Sequence, residues 1–127
     1  MDFKRVVVTG LGALTPIGNT TDEFWHGLTN GVSGAAPITR FDASLFKTQF
    51  ACEVKNFDVN NYFDRKEARK MDPFTQFAMI TAEEAMQDSG LDLEKINLAR
   101  AGVIWGSGIG GLKTFQDEVT SFSQGDG

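Results

Sequence analysis

A chain of 127 residues with 41% hydrophobic and 23% charged content has the composition of one globular domain, and no apolar run nears the ~20 residues that span a bilayer. A net charge of −5 argues against a nucleic-acid binder, and one cysteine with one histidine excludes an internal disulfide and argues against a zinc site. The N-terminal apolar run is too short for a signal peptide and has no cleavage site, so the expected compartment is the cytoplasm.

Arg5-Val-Val-Val-Thr-Gly10 is a continuous apolar run closed by glycine, which predicts a strand covered on both faces. Gly12, Pro16 and Gly18 keep the following stretch irregular. Thr20-Thr-Asp-Glu23 has capping-box spacing, with Thr20 as the cap and Glu23 reaching back. The helix it opens carries Phe24, Trp25 and Leu28 on one face and stops at Gly31. Residues 31–47 have turn composition (Gly34, Pro37, Asp42), and Phe41 and Phe46 are expected to pin this loop to the core. Phe50-Ala-Cys-Glu-Val54 predicts a second strand.

Asp64-Arg-Lys-Glu-Ala-Arg-Lys-Met-Asp72 predicts a short helix. At ~100° per residue, Arg65, Lys66, Arg69 and Lys70 fall within an arc of about 140°, which sets four positive charges on one side. Asp72 as cap and Pro73 at the first helical position open the next helix. It runs to Ser89 with Phe74, Phe77, Ala78, Ala82, Ala85 and Met86 on a shared face, and Gly90 ends it. A polar connection, residues 91–100, leads to a third short strand from Gly102 to Trp105. That strand enters Gly106-Ser-Gly-Ile-Gly-Gly111, where missing Cβ atoms let other groups approach the backbone. Leu112, Phe115, Val119 and Phe122 then recur at helical spacing. From Ser121 the apolar content falls, and the chain is expected to end without a cap or a partner strand.

This element order is that of an α/β chain with a largely buried sheet. About three strands are visible, fewer than an average sheet holds, so an incomplete domain is expected.

Three stretches in register carry a resemblance: Val6-Val-Val-Thr-Gly-Leu-Gly-Ala-Leu-Thr-Pro-Ile-Gly18, Arg65-Lys-Glu-Ala-Arg-Lys-Met-Asp72 and Gly106-Ser-Gly-Ile-Gly-Gly111. Together they resemble the N-terminal part of the beta-ketoacyl synthases, the condensing enzymes of fatty-acid synthesis, over essentially the whole chain. The resemblance implies a thiolase-like α/β fold, with residues 1–127 forming the N-terminal part of a five-layered α/β/α/β/α arrangement that is incomplete here. It implies an enzyme that takes an acyl chain from acyl carrier protein onto a cysteine. Malonyl-carrier protein is then decarboxylated, and the resulting carbanion attacks the thioester. It also implies pairing of two subunits, with the helix after the glycine turn near the second one. No metal or dissociable cofactor is implied, since phosphopantetheine arrives on the carrier protein.

In the resembled enzymes the reactive cysteine and two histidines come later than any residue here, so this chain alone is expected to be inactive. Cys52, in a strand-like setting, is expected to be a buried or half-buried small hydrophobe, and His26 a surface or helix-packing residue. Two surfaces carry over by resemblance. Gly108, Ile109 and Gly110 correspond to the acyl-pocket wall, where the lone branched side chain among glycines gates chain length. Arg65, Lys66, Arg69 and Lys70 correspond to the docking face for the acidic carrier protein. The plainer alternatives are an Ile109 packed in the core beside glycines that serve helix–strand contact, and a solvated charge run partnered by Glu67 and Asp72. Gly106, Gly108 and Gly111 also fit G-x-G-x-x-G, the dinucleotide-binding spacing, but no second strand with a terminal acid follows at the required ~20 residues. A non-catalytic interaction module using the basic helix is the remaining rival.

Overall fold

The structure, a computed structural model, describes residues 3–125. Its organising element is the 17-residue helix α3, Pro73–Ser89. The other helices are α1, Thr21–Thr29; α2, Arg65–Ala68; and α4, Leu112–Gln124. Short 3-10 turns occupy Val59–Asn61 and Leu98–Arg100. The described residues hold one sheet, β1 (Ala36–Pro37) antiparallel to β2 (Phe50–Ala51).

Helix α3 starts and stops where its sequence dictates. Asp72 adopts ψ 154°, the extended state imposed on a residue before proline, and Gly90 closes the helix in the left-handed region at φ 61°. The apolar face predicted for α3 is buried or half-buried throughout, and Ile80 and Thr81 are buried as well, so the helix is covered on more than one side. The Thr81 hydroxyl donates to the Phe77 carbonyl at 2.8 Å, which satisfies it inside its own helix. Phe57 caps the core edge-to-face on Phe77, with ring centroids 5.2 Å apart.

The N-terminal stretch lies against α3 by its backbone. A Cβ on Gly10 would stand 2.1 Å from the Ala85 carbonyl oxygen, and one on Gly12 would stand 2.0 Å from that of Thr81. Only glycine permits this approach. Acidic side chains of α3 fasten the same stretch. Glu84 accepts the N–H groups of Ala13 and Thr21, each at 2.7 Å, and Asp88 accepts that of Leu11 at 2.8 Å.

Helix α1 opens with the predicted box in shifted form. Thr20 Oγ1 accepts the Glu23 N–H at 3.2 Å, while the Glu23 carboxylate takes the Asn19 N–H at 2.7 Å. The helix packs through buried Gly27 against Ile17, and Trp25 and Leu28 remain exposed.

The strands predicted over residues 5–10 and 102–105 do not form among the described residues, since neither stretch makes ladder hydrogen bonds there. Both border a groove of about 330 Å³ on α3, to which Thr9, Gly10, Val103 and Trp105 contribute beside Ala85 and Met86. Exposure alternates along the second stretch, with Ile104 at 101% and Trp105 at 52%, the period of a strand that rests one face on a helix. Both stretches are apolar all round, so each needs cover on its other face as well. The shortfall is large: the chain exposes 10692 Å², against roughly 6700 Å² for a compact monomer of this length.

Four local expectations are corrected. The predicted strand over residues 50–54 contracts to Phe50–Ala51, and its partner Ala36–Pro37 comes from a stretch read as turn; proline is tolerated there because the strand lies at an edge. Cys52 therefore follows the strand and is exposed, not buried. Phe41 and Phe46 do not reach the core; they pack on each other with centroids 5.5 Å apart, and both stay exposed. The C-terminal helix does have a cap, Gly125 at φ 83°, whose N–H bonds the Phe122 carbonyl; the expectation for residues 126 and 127 lies outside the described residues.

Candidate functional site

The basic helix is shorter than its sequence pattern predicts, because α2 is helical only from Arg65 to Ala68. Asp64 caps it, its Oδ1 accepting the N–H groups of Lys66 and Glu67 at 2.8 and 2.9 Å. At the other end the Gln76 amide of α3 donates to the carbonyls of Ala68 and Met71, both at 3.0 Å. Buried Ala68 seats the inner face. Arg65, Lys66, Arg69 and Lys70 are all exposed. The ion pairs among the described residues are Lys95–Asp92 and Lys113–Asp117, so neither Glu67 nor Asp72 forms an ion pair with a patch cation. Arg65 and Lys66 lie on the short, doubly clamped helix, and Arg69 and Lys70 on the turn that directly follows it.

The glycine turn divides into two halves. A Cβ at Gly106 or Gly108 would meet nothing within 4 Å, whereas one at Gly110 would stand 2.8 Å from the Phe74 ring. Gly111 adopts φ 70° as the cap of α4, a conformation that favours glycine. Ile109 is 73% exposed, so it does not pack in the core, and the helix–turn contact that glycine permits is realised at Gly110. On α4 itself Leu112, Phe115, Val119 and Phe122 are exposed, a bare apolar stripe.

The turn and the patch meet at the start of α3. The Asp72 carboxylate accepts the Thr114 hydroxyl of α4 and lies beside Gly111. A carboxylate at this place repels the pyrophosphate that a G-x-G-x-x-G turn would cradle.

His26 lies exposed on α1, as expected. It borders an open cleft of about 720 Å³ with Asp22, Glu23, Lys55 and Asn56, which sequence reasoning missed. The one signal for it was Asn56, which adopts φ 53° at the rim. The cleft mixes both charge signs, and no cysteine or serine lines it. Cys52 and His26 are not brought together with either the turn or the patch into a catalytic pair. Hydrogen bonds hold the carboxyls of Asp42, Glu53, Asp58 and Asp92 below their usual range, and none of the four belongs to the glycine turn or to α2. No helix among the described residues is long and apolar enough to cross a membrane.

An apolar segment laid on α3, a clamped basic helix before α3, and a second apolar segment running into a glycine turn after it define a class. The family described as Beta-ketoacyl synthase, N-terminal domain, matches residues 3–126, and the chain belongs to it. Over 120 residues the chain is 50% identical to 3-oxoacyl-(acyl-carrier-protein) synthase 2 of Synechocystis sp., covering 94% of this chain and 29% of that protein. The fold is shared with solved thiolase-like ketosynthases. A beta-ketoacyl synthase from Burkholderia phymatum superposes with TM-score 0.73 at 28% identity, covering 97% of this chain and 31% of that one. A type II polyketide ketosynthase, solved in complex with its acyl-carrier protein, superposes with TM-score 0.73 at 27% identity, covering 95% and 31%. The chain therefore spans less than a third of the length of these relatives, matching their N-terminal portion.

Proposed function

We propose that this domain supplies the carrier-docking helix and part of the acyl-pocket wall of a 3-oxoacyl-carrier-protein synthase. In that reaction an acyl group passes from the carrier's phosphopantetheine thiol to an enzyme cysteine outside these 127 residues. Malonyl-carrier protein loses carbon dioxide, and the carbanion attacks the enzyme thioester, releasing the cysteine thiolate and leaving a product two carbons longer on the carrier. No dissociable cofactor takes part, and the expected setting is a cytoplasmic homodimer.

The observation that carries the reading is the uncommitted charge on α2, clamped to the same end of α3 as the glycine turn. Acyl carrier protein is acidic, so such a patch accelerates and orients docking. A solved relative is held in complex with its acyl-carrier protein, which supports the same partner here. Ile109, exposed at the turn with open space beside Gly108, is free to border an acyl chain. One branched side chain in such a wall shifts discrimination by about 1–3 kcal/mol.

The test is charge reversal at Lys66, Arg69 and Lys70 in the full-length protein that carries this domain. Carrier-protein Kd should rise at least tenfold, and the salt dependence of binding should shrink. Unchanged affinity and unchanged salt dependence would remove the docking role.

A further inference from the structure

Among the described residues, one hydrogen bond joins residues 102–125 to anything before residue 98: the Thr114 hydroxyl donating to Asp72 Oδ1, across 42 positions. Two close approaches accompany it, Gly110 on the Phe74 ring and Gly111 beside Asp72 Oδ2. All three end on the cap and first turn of α3. Gln76, in that same turn, holds the C-terminal end of the basic helix. The cationic patch and the glycine turn thus share one anchor.

The use made of Asp72 is unusual for its position. An aspartate at a helix cap ordinarily spends its carboxylate on the N–H groups of the first turn. Asp72 makes no such bond; its carboxylate is turned outward to α4 instead. A hydrogen bond to a charged carboxylate is short and directional. The turn it tethers has little stiffness of its own, since four of its six residues are glycine. Where the tether holds Thr114, five residues beyond Ile109, decides where Ile109 sits.

We propose that Asp72 and Thr114 are positioning residues for acyl-chain discrimination: their hydrogen bond fixes the place of Ile109 relative to the docked carrier protein. This rests on the reading above, in which Ile109 borders the acyl chain. Mutation of either partner leaves the four cations of the patch in place, so the effect is separable from docking.

The experiment uses the full-length protein with Thr114→Val, Thr114→Ser and Ile109→Ala, Thr114 being exposed. Three quantities are read: carrier-protein Kd, amide hydrogen exchange over residues 106–112, and the ratio of kcat/KM for long against short acyl-carrier substrates. For Thr114→Val, exchange should accelerate at least tenfold and the ratio should move at least threefold, with Kd within twofold of wild type. Thr114→Ser, which keeps the hydroxyl, should restore both. If exchange in Thr114→Val equals wild type, or if its ratio is unmoved while Ile109→Ala moves it, the positioning role is overturned. An Ile109→Ala ratio equal to wild type sinks the acyl-pocket reading instead, and the specificity role of the tether falls with it. Should Asp72→Asn be made as a second disruption, retained wild-type exchange with that variant alone would show that the charge is dispensable and overturn the charge-assisted tether.

Discussion

Replacing Glu84 by alanine should loosen the N-terminal stretch by an amount the geometry lets one estimate. Its two carboxylate oxygens each accept one backbone N–H at 2.7 Å, from Ala13 and from Thr21, the first residue of α1. Removing the carboxylate leaves both donors without a protein partner. An unsatisfied buried donor costs about 1–3 kcal/mol, and these are half-buried, so the low end of that range, about 1–1.5 kcal/mol, applies to each. The sum is about 2–3 kcal/mol. Glu84→Gln should cost roughly half as much, because the amide oxygen keeps one N–H while its NH₂ faces the other. With a urea slope of roughly 2 kcal/mol per molar, the alanine variant's midpoint should fall by about 1 M. Neighbouring Glu83, exposed and bonded only to Gln87 at 3.3 Å, is the control, and Glu83→Ala should cost under ~0.5 kcal/mol. Amide exchange at residues 13 and 21 of the full-length protein gives the local readout. A Glu84→Ala midpoint within 0.3 M (roughly 0.6 kcal/mol at that slope) of wild type, or indistinguishable from Glu83→Ala, would refute the reasoning.

Two further outcomes follow from the same packing. Gly12→Ala should prevent normal folding or cost at least ~3 kcal/mol in chemical denaturation, because its Cβ would stand 2.0 Å from the Thr81 carbonyl oxygen of a helix that cannot yield; Gly106→Ala, which meets nothing within 4 Å, should leave the melting temperature of this segment's fold unchanged. The Thr39 hydroxyl and N–H hold the exposed Glu53 carboxyl below its ordinary value of 4.5; as a depressed carboxyl, it supports the β1–β2 loop above that value and loses the support as pH falls through its lowered one. Thr39→Val, which removes the hydroxyl and keeps the N–H, should move the Glu53 titration, followed by NMR, part of the way back up.

Much of this was readable from residue order, and the failures have a common physical cause. Helix limits set by local chemistry came through: Thr20 and Glu23 at the start of α1, Pro73 and Gly90 around α3, Gly111 before α4. Spacing set Arg65, Lys66, Arg69 and Lys70 on one side of a helix to Asp72, but the helix stops at Ala68, where Gln76 takes the carbonyls of Ala68 and Met71 and residue 72 precedes proline. What sequence reading missed is non-local. Glu84 and Asp88 look like ordinary helix-surface acids until the backbone of residues 11–21 is laid beside them. The apolar runs over residues 5–10 and 102–105, expected to be strands, form none among the described residues, because a strand needs a hydrogen-bonded partner that local sequence does not specify. Cys52 was misplaced for the converse reason: its apolar neighbours suggested a longer strand, and the two-residue edge strand leaves it in solvent.

If this domain guides an acyl carrier as proposed, the reacting thiol lies outside residues 1–127. Incubating the full-length protein with an acyl-carrier thioester, then mapping the acyl adduct by peptide mass spectrometry, tests it most directly. A covalent acyl thioester should form on a cysteine outside residues 1–127, with full turnover retained in Cys52→Ser. An adduct on Cys52, or none on any cysteine while condensation proceeds, would contradict it.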